Sequence, residues 1–472
     1  MDKNYYITTP IYYPSAKPHM GHAYSSIIAD FFARFKRIDG FNVHFLTGTD
    51  EHGLKIQRAA EKRNVDPQAF CDEISQTFRD LSKTLNLSNT DFIRTTEERH
   101  KKTVQHLWNE LEKNDDIYLS KYSGWYSVSD EAYYGEEEIS EKENVKIATS
   151  SGSPVEWIEE ESYFFRLAKW QDELLNYYEK NPDFISPKSR KNEVISFVKS
   201  GLKDLSISRK AFSWGIKVPN SSDHVIYVWL DALTNYISAL NYPDTNDELF
   251  KKFWPASVHL IGKDILRFHS VYWPAFLMAA KIPLPKKVYG HGWILSGDEK
   301  MSKSKGNILD PLDIIEIYGL DPLRYYLIKE VSFGNDGNIS QDRLEDCINS
   351  DLANNYGNLC QRVTAFAEKN CSSLVPDNTK FNDEDLVMLN RFTDNLDAIR
   401  TEIDNQNINY YINFIVSALF EANKYFNDQE PWKKKGDKGR LNTIVYTSLE
   451  MIRKISFMLY PIIPGSIEKA LK

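Results

Sequence analysis

The amino-terminal pattern of apolar positions predicts a strand, a helix and a second strand in that order. Residues 5–9 form a short run of side chains that favour strands, and Pro10 is expected to end it. From Tyr24 to Phe35, apolar residues recur every three or four positions, which is helical spacing. Residues 43–46 form the next apolar run. This β-α-β order predicts a right-handed parallel unit.

Further along the chain, the pattern predicts that the parallel sheet is interrupted. Residues 118–222 mix short aromatic strands with turn-rich pieces and are interpreted as an inserted domain. Strand signals return at residues 225–229, 258–261 and 288–289. The second half of the sheet is therefore expected after the insertion.

The carboxyl-terminal part is poor in glycine and predicts a helical bundle, because its apolar residues recur at steps of three and four. These residues are Leu389, Phe392, Leu396 and Ile399, then Ile412, Ile415 and Leu419. The predicted fold class is α/β, a Rossmann-like parallel sheet split by an inserted domain and followed by an all-α helical bundle. The predicted domains are the two halves of the Rossmann-like domain (1–117 and 223–290), the insertion (118–222), a connecting segment (291–345) and the bundle (346–472).

Length and composition indicate a globular protein of several domains. The chain has 472 residues, which is too many for one compact core. Of these residues, 42% are hydrophobic and 26% are charged, as is usual for a globular protein. A formal net charge of −9 argues against a generally basic nucleic-acid-binding surface but not against a local basic face. The four cysteines lack CxxC spacing, as is typical of reduced thiols. With neither a signal peptide nor a membrane-spanning apolar run in the sequence, a cytoplasmic location is expected.

Two separated motifs carry the candidate chemistry. Residues 19–22, His-Met-Gly-His, lie where the first strand gives way to the helix, and residues 300–304, Lys-Met-Ser-Lys-Ser, lie in a loop far downstream. A helix amino terminus favours anions, and the histidines and lysines add donors and positive charge. The pair therefore suits a reaction in which negative charge grows on nucleotide phosphates. Alone, the first motif could be two surface histidines and the second a common basic loop, but their order on opposite halves of a split sheet favours the chemical interpretation.

The two motifs resemble the signatures of class I aminoacyl-tRNA synthetases, the HIGH motif and an unaltered KMSKS motif. Segments 9–13, 46–53, 227–232, 261–265 and 333–337 resemble the methionyl-tRNA synthetases in particular, in the correct order. The resemblance implies a ligase that activates methionine with ATP and Mg²⁺ to methionyl-adenylate and transfers it to the 3′ end of methionine tRNA. The implied catalytic residues are His19, His22, Lys300 and Lys303. The implied ATP-binding residues are His19, Gly21, His22, Gly262, Asp264 and Lys303.

The same resemblance implies a methionine pocket. Asp50, at the end of the second strand, would bind the amino group, because a carboxylate at the carboxyl end of a strand suits an ammonium. An aromatic cage suits the polarizable thioether. Core packing is an alternative for the aromatic residues, and His269 without the resemblance would be interpreted as a structural histidine. The implied pocket residues are Pro10, Ile11, Tyr13, Asp50, Trp229, Ala232, Leu233, Tyr236, Ile265 and His269.

The helical tail resembles the anticodon-binding bundle of these synthetases. The resemblance implies that Asn358, Arg362 and Trp432 contact the anticodon. A spacing of four places Asn358 and Arg362 on one helix face. Unpaired RNA bases are usually recognised by aromatic stacking and arginine contacts. The alternative for Trp432 is a loop residue packed on the bundle.

The chain departs from the family pattern in the inserted domain. Many relatives carry a zinc knuckle there, built from a CxxC pair and a second ligand pair. Neither a serine hydroxyl nor an alanine is a zinc ligand, so no structural zinc is expected. Packing of aromatic side chains is expected to hold the insertion together instead. The matching positions here are Ser127, Asp130, Ala148 and Ser151.

Three other functions remain open at this point. A class I synthetase for another apolar amino acid would usually carry a large editing insertion, for which this length leaves no room. A non-catalytic tRNA-binding paralogue would be expected to lack the motif histidines or lysines. A small-molecule adenylyltransferase with a similar histidine motif would not account for the helical tail. The expected partners are methionine tRNA, methionine and ATP, without a membrane, and a monomer is expected because the chain stops directly after the bundle.

Overall fold

The computed structural model describes residues 3–15, 17–128, 130, 132–142, 145–296, 299–300, 310–330, 333–377 and 380–472. The chain is divided into two compact units. The first comprises Met1–Pro18 and Lys36–His291, and the second comprises His19–Phe35 and Gly292–Lys472.

Both units contain strands. In chain order they are β1 (Asn4–Tyr12), β2 (Asn42–Thr49), β3 (Asp91–Arg94), β4 (Ile117–Ser127), β5 (Ala132–Tyr134), β6 (Ile139–Lys142), β7 (Val145–Ala148), β8 (Glu156–Phe165), β9 (Ile185–Ser186), β10 (Leu205–Ser206), β11 (Ser208–Arg209), β12 (Lys217–Val218), β13 (Ser221–Ile226), β14 (Val258–Gly262), β15 (Val288–His291), β16 (Ile294–Ser296), β17 (Glu299–Lys300) and β18 (Gly337–Ile339).

Helices connect these strands and make up most of the second unit. In chain order they are α1 (Met20–Ile38), α2 (Leu54–Lys62), α3 (Pro67–Thr84), α4 (Glu98–Lys113), α5 (Gln171–Lys180), α6 (Lys188–Lys199), α7 (Val228–Leu233), α8 (Asn235–Ser238), α9 (Glu248–Phe253), α10 (Trp273–Ala279), α11 (Pro311–Tyr318), α12 (Leu320–Lys329), α13 (Gln341–Cys347), α14 (Asn358–Asn370), α15 (Asp383–Asp404), α16 (Ile408–Asp428), α17 (Lys438–Leu459) and α18 (Pro464–Ala470). Short 3₁₀ turns cover Glu136–Glu138, Leu167–Trp170, Lys263–Ile265 and Pro431–Lys433, and π-helical turns cover Phe268–Tyr272 and Ile348–Gly357.

A six-stranded parallel sheet, in the order β3-β2-β1-β14-β15-β9, forms the centre of the first unit. The carboxyl ends of β1, β2 and β14 adjoin at one edge, where α/β folds bind ligands. The predicted parallel sheet is confirmed, but the prediction that Pro10 ends the first strand was wrong. β1 continues to Tyr12, and its pairing with β2 shifts register between Thr8 and Ile11. Proline has no N–H to donate, so it is accommodated at an irregularity of the ladder.

Antiparallel strands interrupt the parallel sheet between β3 and β14. One sheet has the order β10-β8-β4-β5, another has the order β11-β13-β12, and β6 pairs with β7. The chain returns to the main sheet within the range 118–222, where β9 pairs with β15. The predicted strand over 225–229 was wrong in its second half, because α7 begins at Val228. Its first half belongs to β13, which pairs in an antiparallel sheet and not in the parallel one. A short apolar run does not distinguish a buried strand from a buried helix.

The carboxyl-terminal part of the second unit is helical, as predicted. α15, α16 and α17 pack on one another around buried residues such as Phe392, Ile415 and Ile444. The buried carboxylate of Asp385 on α15 accepts hydrogen bonds from Arg440 on α17. In the part of the chain that the structure describes, no helix combines the length and the apolar character needed to span a membrane.

Candidate active site

A cavity of about 160 Å³ lies at the carboxyl edge of the six-stranded sheet in the first unit. It is bounded by the ends of β1 and β2, by α7 and α8, and by the segment that follows β14. All ten residues predicted for the pocket line this one cavity, and Asp130, Val228 and Asn235 line it as well. The structure therefore brings the predicted residues together, while their role in binding methionine stays a prediction.

Asp50 provides a charged group at the cavity. It directly follows β2, its N–H donates to the Tyr12 carbonyl at 2.9 Å, and the residue is 8% exposed. The neighbouring carboxylate of Glu51 is buried and accepts hydrogen bonds from Arg94 at 2.7 Å and from Thr96 at 2.6 Å. Of two adjacent acidic residues, one is neutralised within the protein and the other lines the cavity. A carboxylate in that place suits an ammonium group of a ligand.

Tyr236 and His269 form a polar but uncharged pair in the cavity wall. Burial lowers the pKa of His269 to about 4, so the imidazole is neutral at pH 7. Its Nδ1 lies 2.9 Å from the Ile265 carbonyl, which can only accept, so Nδ1 carries the proton. Nε2 then accepts from the Tyr236 hydroxyl at 2.6 Å. This part of the wall is therefore polarizable and carries no net charge.

A stacked aromatic pair supports another side of the cavity. The Trp229 ring stacks on Phe268 with 3.6 Å between the ring centroids and 16° between the planes. Of the lining residues that were not predicted, Val228 and Asn235 each lie beside a predicted one on α7 or α8. The predicted positions 229, 232, 233 and 236 have helical spacing, so this signal in the sequence could have identified both the helices and these neighbours.

The second unit holds the two motif histidines at the start of α1. The backbone N–H of His19 donates to Nδ1 of His22 at 3.0 Å, and that of Gly21 donates to Nδ1 of His19 at 3.1 Å. Burial, and secondarily His19, lowers the pKa of His22 well below its ordinary value. With Nδ1 accepting in both rings, each neutral imidazole carries its proton on Nε2 and can donate from that atom. A Cβ at Gly21 would lie 2.9 Å from the His19 ring, so any side chain at this position would displace that imidazole.

The other predicted nucleotide-binding residues are placed only in part. Gly262 ends β14, and a Cβ there would lie 2.6 Å from the carboxylate of Asp264, which is exposed in the following 3₁₀ turn. Lys300 ends β17, but its side chain lies outside the described residues. The same holds for Lys303 and all of residues 301–309. The roles proposed for these lysines stay predictions.

The three residues predicted to contact an anticodon lie in the second unit. Asn358 is exposed at the start of α14, and Arg362 follows one turn later on the same face. The Arg362 guanidinium lies 5.5 Å from the centroid of the Phe426 ring and donates to Asn427. Trp432 approaches the same Phe426 ring edge-on at 6.2 Å and is 42% exposed. Arg362 and Trp432 therefore flank one aromatic ring, which brings these distant positions together.

Comparison with known proteins decides the family. The family model described as tRNA synthetases class I (M) matches residues 5–364. The chain belongs to this family. Among curated proteins, the methionine–tRNA ligase of Brucella suis is 52% identical over 470 residues, 99% of this chain and 91% of that protein. That of Rickettsia felis is 52% identical over 489 residues, 100% of this chain and 92% of that protein.

Solved structures of class I synthetases agree with this assignment. Mycobacterium tuberculosis methionyl-tRNA synthetase in complex with methionyl-adenylate has a TM-score of 0.97 to this chain at 47% identity, covering 99% of this chain and 93% of that one. The apo form of the same enzyme has a TM-score of 0.90 at 43% identity, covering 100% and 92%. The resemblance inferred from the motifs and the predicted fold class are thereby confirmed.

In this synthetase a hydrogen-bonded carboxylate lies at one of the positions predicted to match the zinc knuckle of many relatives. Asp130 accepts hydrogen bonds from the hydroxyls of Tyr134 and Ser153, each at 2.7 Å, and from that of Ser151. Burial raises the pKa of Asp130, but the accepted hydrogen bonds together lower it by more, so the net pKa is below its ordinary value. Aromatic packing contributes too, through an edge-on contact of Trp125 with Trp157. Over the described ranges, no cluster of three or more metal-ligating side chains was found, and the absence of zinc stays a prediction.

Proposed function

We propose that this class I synthetase activates methionine with ATP and transfers the methionyl group to tRNA. The observation that carries the proposal is the composition of the cavity, which combines the carboxylates of Asp50 and Asp130 with an uncharged aromatic wall formed by Trp229, Tyr236 and His269. A ligand with an ammonium group and a polarizable apolar side chain matches both. The Brucella suis and Rickettsia felis relatives are named methionine–tRNA ligases, and the M. tuberculosis structure contains methionyl-adenylate.

In the proposed complex, the amino group of methionine pairs with Asp50 and the thioether lies against Trp229, Tyr236 and His269. Sulfur packs favourably at aromatic ring edges. Neutral His269 matters here, because a buried imidazolium would need a compensating charge that a thioether cannot supply. Apolar amino acids that differ by one methylene are discriminated by only about 1–3 kcal/mol, so the wall must fit the methionine side chain closely.

The first step is an attack of the methionine carboxylate oxygen on the α-phosphorus of ATP. The new P–O bond gives methionyl-adenylate, and the bond to the β-phosphate oxygen breaks to release pyrophosphate. ATP enters as its Mg²⁺ complex, which is the substrate. His19 and His22 donate from Nε2 to phosphate oxygens at the start of α1, where a helix amino terminus favours anions. Lys303, and with it Lys300, supplies positive charge to the reacting phosphates.

Further nucleotide contacts and the second step complete the proposal. Gly262 allows close approach of the adenylate, with Asp264 beside it. A terminal hydroxyl of the tRNA then attacks the carbonyl carbon of methionyl-adenylate, so that an ester forms and AMP leaves. Asn358, Arg362 and Trp432 bind the anticodon, and the exposed Trp432 offers a stacking surface for an unpaired base.

Pyrophosphate exchange measured with each of the twenty amino acids tests the proposal. Methionine should support exchange far above every other amino acid, and methionine tRNA should then be charged. Exchange with a different apolar amino acid would indicate a synthetase of another specificity. Absence of exchange with all twenty would favour a tRNA-binding paralogue or an adenylyltransferase for another small molecule.

A further inference from the structure

A buried carboxylate beside the cavity contacts two histidines from distant parts of the chain. Asp231 on α7 is 1% exposed. Its Oδ2 lies 2.6 Å from Nδ1 of His52, and its Oδ1 lies 2.8 Å from Nε2 of His100 on α4. The other ring nitrogen of His100 lies 2.8 Å from the Ser238 hydroxyl on α8. None of these four residues lines the cavity.

The direction of the hydrogen bonds follows from the ionisation of Asp231. Burial raises the pKa of Asp231, but the effects of His52 and His100 together outweigh burial and lower this pKa to about 2. An ionised carboxylate only accepts hydrogen bonds, so both facing histidine nitrogens carry a proton. Removing this acceptor would leave two buried donors without a partner, which is costly. The arrangement therefore holds both histidines firmly in place.

This network joins the two sides of the cavity. His52 lies two residues after Asp50, and its carbonyl accepts a hydrogen bond from the lining residue Tyr13 at 3.2 Å. Asp231 directly precedes the lining residues Ala232 and Leu233 on α7. The carboxylate group at one side and the apolar wall at the other are thus linked through one buried side chain. A ligand that contacts both sides requires a fixed distance between them.

We propose that Asp231 is a positioning residue for the amino-acid substrate, which sets through His52 and His100 the distance between the Asp50 carboxylate and the apolar wall on α7. The inference rests on the proposed function, since methionine is the ligand that contacts both sides. Misplacement by about 1 Å of groups that orient a substrate can lower rates by about 100-fold. A purely structural network would stabilise the fold without acting through Asp50.

Asp231→Asn tests the inference, because it keeps the shape of the side chain but removes the charge and one acceptor. In pyrophosphate exchange, the methionine KM should rise by about tenfold or more while the ATP KM stays within about twofold. Asp116→Asn is the matched control. Asp116 is equally buried and is paired with Lys169 at 2.7 Å, but it does not line the cavity. The control should lower Tm without changing the methionine KM.

A double-mutant cycle separates positioning from a structural role. The dissociation constant of methionine is measured for wild type, Asp231→Asn, Asp50→Asn and the double variant. If Asp231 acts through Asp50, adding Asp231→Asn to Asp50→Asn should cost less than about twofold, because the effects are not additive. If the double variant instead loses the full factor of Asp231→Asn again, the inference is overturned.

A second variant keeps the test available if Asp231→Asn does not fold. His52→Gln changes a residue at the edge of the network, with 7% of the side chain exposed, and should raise the methionine KM in the same selective way. An unchanged methionine KM in folded His52→Gln would overturn the inference. Wild-type protein that does not bind methionine would overturn the proposed function together with the inference, whereas normal wild-type binding with additive effects would overturn the inference alone.

Discussion

Protonation of His269 should make the stability of the first unit depend on pH in a defined window. Its pKa is about 4 in the folded protein because of burial, against about 6.5 in an unfolded chain. Since the unfolded state binds the proton more tightly, the contribution of His269 is fully present above pH 6.5. It is lost as the pH falls from 6.5 toward 4. The two pKa values correspond to about 3 kcal/mol in total, of which about 2 kcal/mol is lost between pH 7 and pH 5.

His269→Gln removes this titration and keeps the capacity to hydrogen-bond. The free energy of unfolding in urea is measured for wild type and variant at pH 7 and pH 5. The wild type should lose about 2 kcal/mol more than the variant over this interval. His44→Gln is the matched control, because burial lowers the pKa of His44 to about 4 as well, and His44 does not line the cavity. Both variants should flatten the pH dependence, but only His269→Gln should weaken methionine binding.

Two results would refute this reasoning. An NMR titration that gives the His269 ring a pKa near 6.5 would show that burial does not keep it neutral. The same conclusion would follow if His269→Gln lost as much stability as wild type between pH 7 and pH 5.

The remaining predictions concern residues in other parts of the molecule. Asp50→Ala should weaken methionine binding by about 1.5–3 kcal/mol, the worth of a charge-assisted hydrogen bond, and an unchanged Kd would exclude the assigned role. Lys303→Ala should slow adenylation by orders of magnitude with little change in methionine affinity, as stopped-flow measurement of adenylate formation would show. Trp432→Ala should leave pyrophosphate exchange intact. The kcat/KM for charging tRNA should fall by a factor that corresponds to about 1–3 kcal/mol of lost base stacking. Equal losses in both assays would instead indicate a residue that is needed for folding. Asp130→Ala should speed hydrogen exchange in β4 and β8, because the variant loses the hydrogen bonds that Asp130 accepts. A chelator should leave the Tm of the wild type unchanged, and one zinc per chain by elemental analysis would contradict the predicted absence of zinc.

Local sequence pattern was sufficient for the first helix and for the second strand of the parallel sheet. The helical spacing before Phe35 and the apolar run at 43–46 correspond to α1 and β2. The pattern failed at Val228 and Trp229, which belong to α7, because a short apolar run does not distinguish a strand from a helix. Pro10 was misjudged for a different reason, since an irregular pairing can accommodate a residue without an N–H.

The candidate site was predictable where motif resemblance assigned positions, and not where long-range contacts decide. Residues such as Asp50 and His269 could be named because they match a family pattern. The pairing of Asp231 with His52 and His100 spans 179 and 131 positions along the chain, and no local signal encodes it. The hydrogen bond that Asp130 accepts from Ser153, 23 positions away, is likewise a property of the folded insertion.

A crystal structure of the protein with bound methionine would show directly whether the cavity in the first unit is the amino-acid site. Methionine should lie in the cavity at the carboxyl edge of the sheet, with its amino nitrogen within hydrogen-bond distance of the Asp50 carboxylate. Its sulfur should lie against Trp229 and the Tyr236–His269 pair. Methionine bound with its amino group toward His269 would exclude the role assigned to Asp50, and methionine bound outside this cavity would exclude the cavity as the amino-acid site.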